Sequence, residues 1–183
     1  VCKSDGTIWF SDPPYGILSD REGHAAPREQ TANHVFRFDP RNGVLEAMTD
    51  LLEEPNGLAF SPDERHLYVS DTSAATRRDG TGRHHLMVFD VDAQGRLSGG
   101  REFAAVSPGL PDGFRLDRQG WLYTSSADGV HVYAPDGVRL CRIAVPEVVG
   151  NLCFGGPAND QLYIAASTSL YRIALDTTGA LPT

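Results

Sequence analysis

A turn-then-strand unit that recurs along the chain is the feature that most limits the fold. It occurs at residues 4–12 (SDGTIWFSD), 61–71 (SPDERHLYVSD) and 117–125 (DRQGWLYTS), and a fourth copy spans 156–167. Each copy is followed by a second segment rich in β-branched and aromatic residues, which is typical of a strand. Most of these segments continue through another turn into a further short strand. The repeated unit is therefore an antiparallel meander, as in the blades of a β-propeller.

The repeat predicts an all-β chain with no convincing helical periodicity. We expect a single β-propeller domain over residues 1–183, with about four blades at approximately 1–50, 51–105, 106–146 and 147–183. The opening run predicts an N-terminally truncated protein, because the first blade has only the end of its inner strand. The last blade is expected to lack its outer strand. Unpaired blade edges favour dimerisation or aggregation.

Composition and charge exclude several classes of function. Apolar residues make up 40% of the chain, and 16 basic against 24 acidic residues give a net charge of −8. With no basic cluster beyond Arg77-Arg78, a nucleic-acid partner is not expected. No run of about 18 apolar residues is present, so no membrane span is expected. Three cysteines within apolar stretches, without a C-x-x-C pair, are expected to be buried free thiols: Cys2, Cys141 and Cys153.

Three polar residues stand at the start of apolar strands, one blade apart. They are Asn56 in Pro-Asn-Gly, Asp112 in Pro-Asp-Gly and Asn151 in Gly-Asn-Leu. If the strands line a central tunnel, their oxygens converge, and hard cations such as Ca²⁺ bind carbonyl and carboxylate oxygens. Asp112 is the candidate metal ligand and catalytic base. The alternative is that Asn-Gly and Asp-Gly only mark turns, and Asn151 is the weaker candidate because no glycine follows it.

The meander also predicts which end of the propeller carries function. It places the inner-strand starts on the same face as two long connections, residues 13–33 and 72–85, and long loops on a rigid scaffold often carry binding groups. Tyr15, in the stiff Asp-Pro-Pro-Tyr-Gly segment, is a candidate wall of a substrate pocket, or part of a plain rigid turn. Asp71 is interpreted as an Asx-turn residue. The loop histidines, His24, His84 and His85, are interpreted as solvated.

Four stretches together resemble gluconolactonases of the SMP-30/gluconolactonase/regucalcin-like family: residues 4–16, 54–71, 111–125 and 151–156. The resemblance runs almost end to end and in the right order. It implies a six-bladed propeller that holds one divalent cation, usually Ca²⁺, with Mg²⁺, Mn²⁺ or Zn²⁺ as alternatives. It also implies that Asn56 and Asp112 are cation ligands and that Asp112 is the base. The family's third ligand, a glutamate in an E-G-P motif, is not in this sequence, and the Arg and Asn that contact its substrate would precede Val1.

The expected function is metal-dependent hydrolysis of a sugar lactone to the aldonic acid, with Tyr15 and Asn151 as candidate substrate contacts. The alternatives are hydrolysis of another ester or a phosphotriester on the same propeller, and a non-catalytic Ca²⁺-binding or interaction propeller. The expected partner is a small-molecule sugar lactone, and the sequence leaves the oligomeric state undetermined. The expected localisation is the cytoplasm, with the periplasm or secretion as the alternative.

Overall fold

The computed structural model describes residues 1–21, 23–77 and 79–180 as four antiparallel sheets. Glu22, Arg78 and residues 181–183 lie outside the described part, so the predicted fourth blade is described only to Ala180. In each sheet every strand pairs with the next strand in sequence. The strands are β1 Ile8–Asp12, β2 His34–Asp39 and β3 Val44–Thr49; β4 Pro55–Phe60, β5 His66–Asp71, β6 His85–Val91 and β7 Leu97–Ala105; β8 Phe114–Leu116, β9 Leu122–Ser126, β10 Gly129–Tyr133 and β11 Arg139–Ala144; β12 Val149–Gly155, β13 Gln161–Ala166 and β14 Leu170–Ala174.

Helix is confined to the two long connections of the described chain. A single turn of α-helix, α1, spans Tyr15–Leu18, and a 3₁₀ helix spans Ser73–Ala75. Neither is long or apolar enough to cross a membrane.

The innermost strands pack consecutively, which makes each sheet a propeller blade. β4 contacts β1 of the first sheet, β8 contacts β4, and β12 contacts β8 and β9. In the first sheet, Val1 and Trp9 exchange two backbone hydrogen bonds of 2.8 Å, so residues 1–3 occupy the position of the inner strand. The all-β propeller prediction is confirmed.

The hydrophobic core lies between neighbouring blades. Strands β9 and β10 are buried at every position, because each lies in the middle of a sheet that is covered on both faces. Full burial of a side chain such as Leu122 stabilises the fold by about 1.5–3 kcal/mol. The largest fully buried side chains mark the interfaces: Trp9, Leu67 and Phe89 between the first and second blades, Leu86, Phe114 and Leu122 between the second and third, and Val130, Leu162 and Ile164 between the third and fourth.

The fourth blade has three strands in the described part of the chain. After β14, residues 176–180 do not pair with it as a further strand. They run back to the third blade, where Gly179 bridges to Asp117 and the Ala180 amide donates to the Leu116 carbonyl at 2.9 Å. The dimerisation expected from unpaired edges stays a prediction.

The prediction of buried cysteines is wrong. Cys2, Cys141 and Cys153 are free, as expected, but all three are exposed. Cys141 lies on β11, the outermost strand of its blade, and Cys153 alternates with the buried Leu152 on β12. Apolar neighbours in sequence did not bury them, because side chains alternate between the two faces of a strand.

Two glycines lie where the inner strands approach each other most closely. A Cβ on Gly57 would lie 2.4 Å from the Asp112 carbonyl oxygen, and one on Gly113 would lie 2.2 Å from Asn151 Oδ1. Neither glycine has a positive φ. Glycine is therefore required there by the space between blades and not by a left-handed backbone.

We predict that Gly57→Ala lowers the free energy of unfolding by about 1–3 kcal/mol, because the new methyl group overpacks against backbone. Gly16→Ala is the control, since no heavy atom lies within 4 Å of a Cβ placed there. Urea titration of the full-length variants measures both changes. Equal unfolding midpoints for Gly57→Ala and wild type would contradict the prediction.

Candidate active site

Asn56 lies in a β-bulge at the start of β4. Pro55 pairs with Asp71 and Leu58 pairs with Val69, so Asn56 and Gly57 together face a single residue of β5. Bulges redirect side chains and are frequent beside active sites. The Ser11 hydroxyl of the first blade donates to the Asn56 carbonyl at 2.6 Å and fixes its backbone. The interpretation of Asn56-Gly57 as a plain turn is wrong, because both residues belong to the strand.

Asp112 lies beside Asn56, just before β8. Its backbone carbonyl accepts a hydrogen bond of 3.4 Å from Ser70, and the next amide, of Gly113, donates to Gly150 at 2.9 Å. The carboxylate remains open to the cavity. Removal of water by the surrounding protein raises the pKa of Asp112, and a hydrogen bond from the Asn56 side chain opposes this rise only in part.

Thr72 connects the long loops to Asn56. Its Oγ1 lies 2.6 Å from the Tyr15 hydroxyl and accepts a hydrogen bond of 3.2 Å from Asn56 Nδ2. Burial raises the pKa of Tyr15, and the neighbouring Glu54 carboxylate raises it further, so the phenol keeps its proton. Hydrogen bonds therefore connect Tyr15, Thr72 and Asn56, and Asp112 lines the same cavity.

These four residues line a cavity of about 410 Å³, within the range of small-molecule sites. The rest of the lining is mainly apolar. The remaining lining residues are Ala75, Gly109, Leu110, Val148, Val149 and Gly150. Sequence reasoning selected Tyr15, Asn56 and Asp112 but missed Thr72 and the apolar lining.

Asn151 does not line this cavity. The bulge in β12 falls at Gly150, since Val149 pairs with Ala166 and Asn151 with Ala165. Asn151 is thus a paired strand residue, and its Oδ1 accepts a hydrogen bond from the Leu152 amide at 2.8 Å. The position that opens into the cavity belongs to Gly150, whose Cβ would lie 3.8 Å from Asp112 Oδ2. A substrate contact by Asn151 stays a prediction, without support from this geometry.

Asp71 is fully buried and fastens the loop that leads into β4. Its carboxylate accepts hydrogen bonds from the amides of Glu53 and Glu54 at 2.7 and 3.1 Å, and from Ser73 at 3.3 Å. The Ser73 bond is the expected Asx-type contact. The bonds from the Glu53 and Glu54 amides go beyond the expected turn, because they fix the backbone just before Asn56.

The histidines do not form a metal centre with one another. His24 and His84 are exposed, and His84 Nδ1 lies 2.7 Å from the Val106 carbonyl. His85 is half-buried beside Glu102. In the described ranges no group of three His, Cys, Asp or Glu side chains is placed to hold a metal. Asn56 and Asp112 fit two adjacent ligands of a hard cation, which takes about six to eight oxygens.

Glu147 anchors the loop that carries the apolar wall. Its carboxylate accepts hydrogen bonds from Ser169 at 2.6 Å, Tyr171 at 2.7 Å and the Thr168 amide at 2.7 Å. These bonds lower the pKa of Glu147 to about 2. An ionised Glu147 therefore ties the turn before β12, which carries Val148, to the residues that follow β13.

Comparison with known proteins agrees with this architecture. Residues 1–168 match the model of the SMP-30/Gluconolactonase/LRE-like region. The chain belongs to this family. A gluconolactonase of Zymomonas mobilis is 35% identical over 97% of the chain and 49% of its own length. A pentonolactonase of Haloferax volcanii is 30% identical over 89% of the chain and 55% of its own length. The chain spans about half the length of the curated relatives it matches.

Solved structures of family members share the fold. A gluconolactonase of Xanthomonas campestris is 40% identical and superposes with a TM-score of 0.85, covering 95% of this chain and 55% of that one. A calcium-binding regucalcin of Agrobacterium tumefaciens is 19% identical and superposes with a TM-score of 0.73, covering 97% of this chain and 60% of that one. The second likeness shows the propeller fold alone.

We predict that Glu147→Gln lowers the melting temperature at pH 7 and has a diminishing effect in acid. The folded-state pKa of about 2 is below the ordinary value of 4.5, so the stabilisation is present above about pH 4.5 and lost as pH falls toward 2. Calorimetry of the full-length protein between pH 7 and 2.5 measures it. Glu29→Gln is the control, because Glu29 is exposed and accepts no hydrogen bond within the described ranges. If the melting temperature of Glu147→Gln lies below that of wild type by the same amount at every pH in this range, the prediction is contradicted.

Proposed function

We propose that the full-length protein hydrolyses a sugar lactone to the aldonic acid in the cavity beside Asp112. The observation that carries this proposal is a carboxylate, Asp112, and an amide, Asn56, that together line a cavity of about 410 Å³. A carboxylate placed in such a cavity can accept a proton from water. The names of the relatives, gluconolactonase and pentonolactonase, support a lactone as substrate.

The reaction needs one water and one base. Asp112 accepts a proton from water as the water oxygen bonds to the lactone carbonyl carbon. The bond from that carbon to the ring oxygen then breaks, and the ring oxygen takes the proton back from Asp112. Lactone and water become a hydroxy acid, and Asp112 returns to its starting state.

Asn56 and Asp112 are the residues proposed to hold a divalent cation, with Ca²⁺ first and Mg²⁺, Mn²⁺ or Zn²⁺ as alternatives. Their side chains offer oxygens of the kind that hard cations bind. When bound, such a cation polarises the lactone carbonyl. Asn56 Nδ2 donates to Thr72 Oγ1, which leaves the Asn56 side-chain oxygen for the cation.

The lining of the cavity suits a sugar ring. Tyr15 presents a hydroxyl group and Asp112 a carboxylate, with which substrate hydroxyls can form hydrogen bonds. Leu110, Val148 and Val149 supply a surface for the carbon face of the ring and exclude water. Because the relatives are named for different lactones, gluconolactone is the first substrate to test and not the only one.

We expect Asp112→Asn to lower kcat by about 10²–10⁴ in the full-length protein, because positioned base catalysis contributes about that factor. A pH-stat assay with glucono-1,5-lactone, corrected for spontaneous opening, measures it. Asp136→Asn is the matched control, an exposed carboxylate in the turn at the opposite end of the third blade. Full turnover by Asp112→Asn would remove Asp112 as the base. Hydrolysis of an aryl ester or phosphotriester without lactone hydrolysis would refute the lactone substrate.

Asn56→Ala is expected to act first on the cation. Loss of the amide oxygen should raise the Ca²⁺ concentration that gives half-maximal activity, while kcat at saturating Ca²⁺ falls less than in Asp112→Asn. Activity after EDTA treatment and Ca²⁺ titration measures this. Unchanged activity in EDTA would refute the cation requirement, and an unchanged half-maximal concentration would exclude Asn56 as a ligand.

A further inference from the structure

Thr72 is enclosed in the cavity wall, with 2% of its surface exposed. Its backbone amide donates to the Glu54 carbonyl at 3.1 Å, next to the bulge that carries Asn56. The neighbouring Asp71 is fastened to the same loop through Glu53 and Glu54. The Thr72 hydroxyl therefore has a fixed place relative to Asn56.

The direction of the Asn56–Thr72 hydrogen bond follows from the groups involved. An amide nitrogen only donates, whereas a hydroxyl oxygen can accept two hydrogen bonds and donate one. Thr72 Oγ1 must accept from Asn56 Nδ2, whichever of Thr72 and Tyr15 donates in the 2.6 Å contact between their hydroxyls. The role of Tyr15 does not change this conclusion.

Asn56 Nδ2 thus donates to Thr72 Oγ1, and Asn56 lines the same cavity as Asp112. Asn56 Oδ1 accepts no hydrogen bond from the described residues, and it is not among their enclosed, unpartnered atoms. A flipped amide would lose the hydrogen bond from Nδ2 to Thr72 Oγ1. The side chain is therefore held with its nitrogen toward Thr72 and its oxygen free.

We propose that Thr72 is a positioning residue that orients the Asn56 amide so that Oδ1 stays available to a bound cation or substrate. Its consequence for catalysis rests on the proposed lactonase function, but the orientation itself does not. Thr72 contributes through its hydroxyl oxygen. A serine at position 72 should therefore keep the Asn56 amide in the same orientation. A valine, which has the shape of threonine but no hydroxyl, should not.

The orientation is tested by NMR on the ¹⁵N-labelled full-length protein, with the Asn56 side-chain amide assigned by its loss in Asn56→Ala. In wild type, the Asn56 amide hydrogens should exchange with water about tenfold more slowly than those of Asn42, as expected for one net hydrogen bond of about 1.4 kcal/mol. Asn42 is an exposed turn residue whose Nδ2 donates to no described residue. If the side-chain amides of Asn56 and Asn42 exchange equally fast in the wild-type protein, that result alone overturns the proposal.

Thr72→Val should remove this protection and lower kcat/KM by about tenfold, whereas Thr72→Ser should retain both within about threefold. Circular dichroism and melting temperature check that each variant folds. Identical behaviour of the valine and serine variants would overturn the proposal. If wild type lacks lactonase activity but the amide results hold, the proposed function fails and the orientation stands. If wild type is active and Thr72→Val leaves the amide unchanged, only this inference fails.

Discussion

The close approach of the inner strands at one end of the propeller is the constraint on which the site depends. Gly57 and Gly113 leave no room for a side chain, so the backbones of three successive blades come together there. Ser11 then reaches Asn56, Ser70 reaches Asp112, and Gly113 bonds to Gly150, each across a blade boundary. A rigid backbone of this kind holds Asn56 and Asp112 in fixed positions before any ligand binds, which is what a binding or catalytic site requires.

The repeat in the sequence was sufficient to predict the sheets and to place Asn56, Asp112 and the two long connections at one end of the propeller. Turn residues and β-branched runs specify where strands begin and end, and the meander then places every inner-strand start at one end. Asn56 and Asp112 were found this way. Asn151 was placed in the same set because it also precedes an apolar run, but the bulge in β12 lies at Gly150. A shift of one residue moves a side chain to the other face of the strand, and the sequence gives no signal for it.

The cysteines and Thr72 show a second reason for what sequence reasoning missed. Burial depends on which sheet covers a strand, and three apolar-flanked cysteines proved exposed on strands that are covered on one side only or lie at an edge. Thr72 follows Ser70-Asp71 at the exit of β5, a place already predicted to lie on the functional face. Its position could thus have been derived from the meander. Its bond to Asn56 could not, because it depends on a side-chain rotamer and on the loop that Asp71 fastens.

The cavity is lined both by residues held at the packed inner strands and by residues of the connections between blades. Asn56 lies in β4, and the Asp112 backbone accepts a hydrogen bond from Ser70 of the neighbouring blade. Leu110 and Val148 lie in connections, and Val149 begins β12. Loops tolerate substitution far better than packed strands. Substitution of Leu110 or Val148 can therefore change the shape of the apolar lining while Asn56 and Asp112 stay in place. Under the proposed function, the groups that act on the lactone would then stay constant while the residues that contact the rest of the sugar vary.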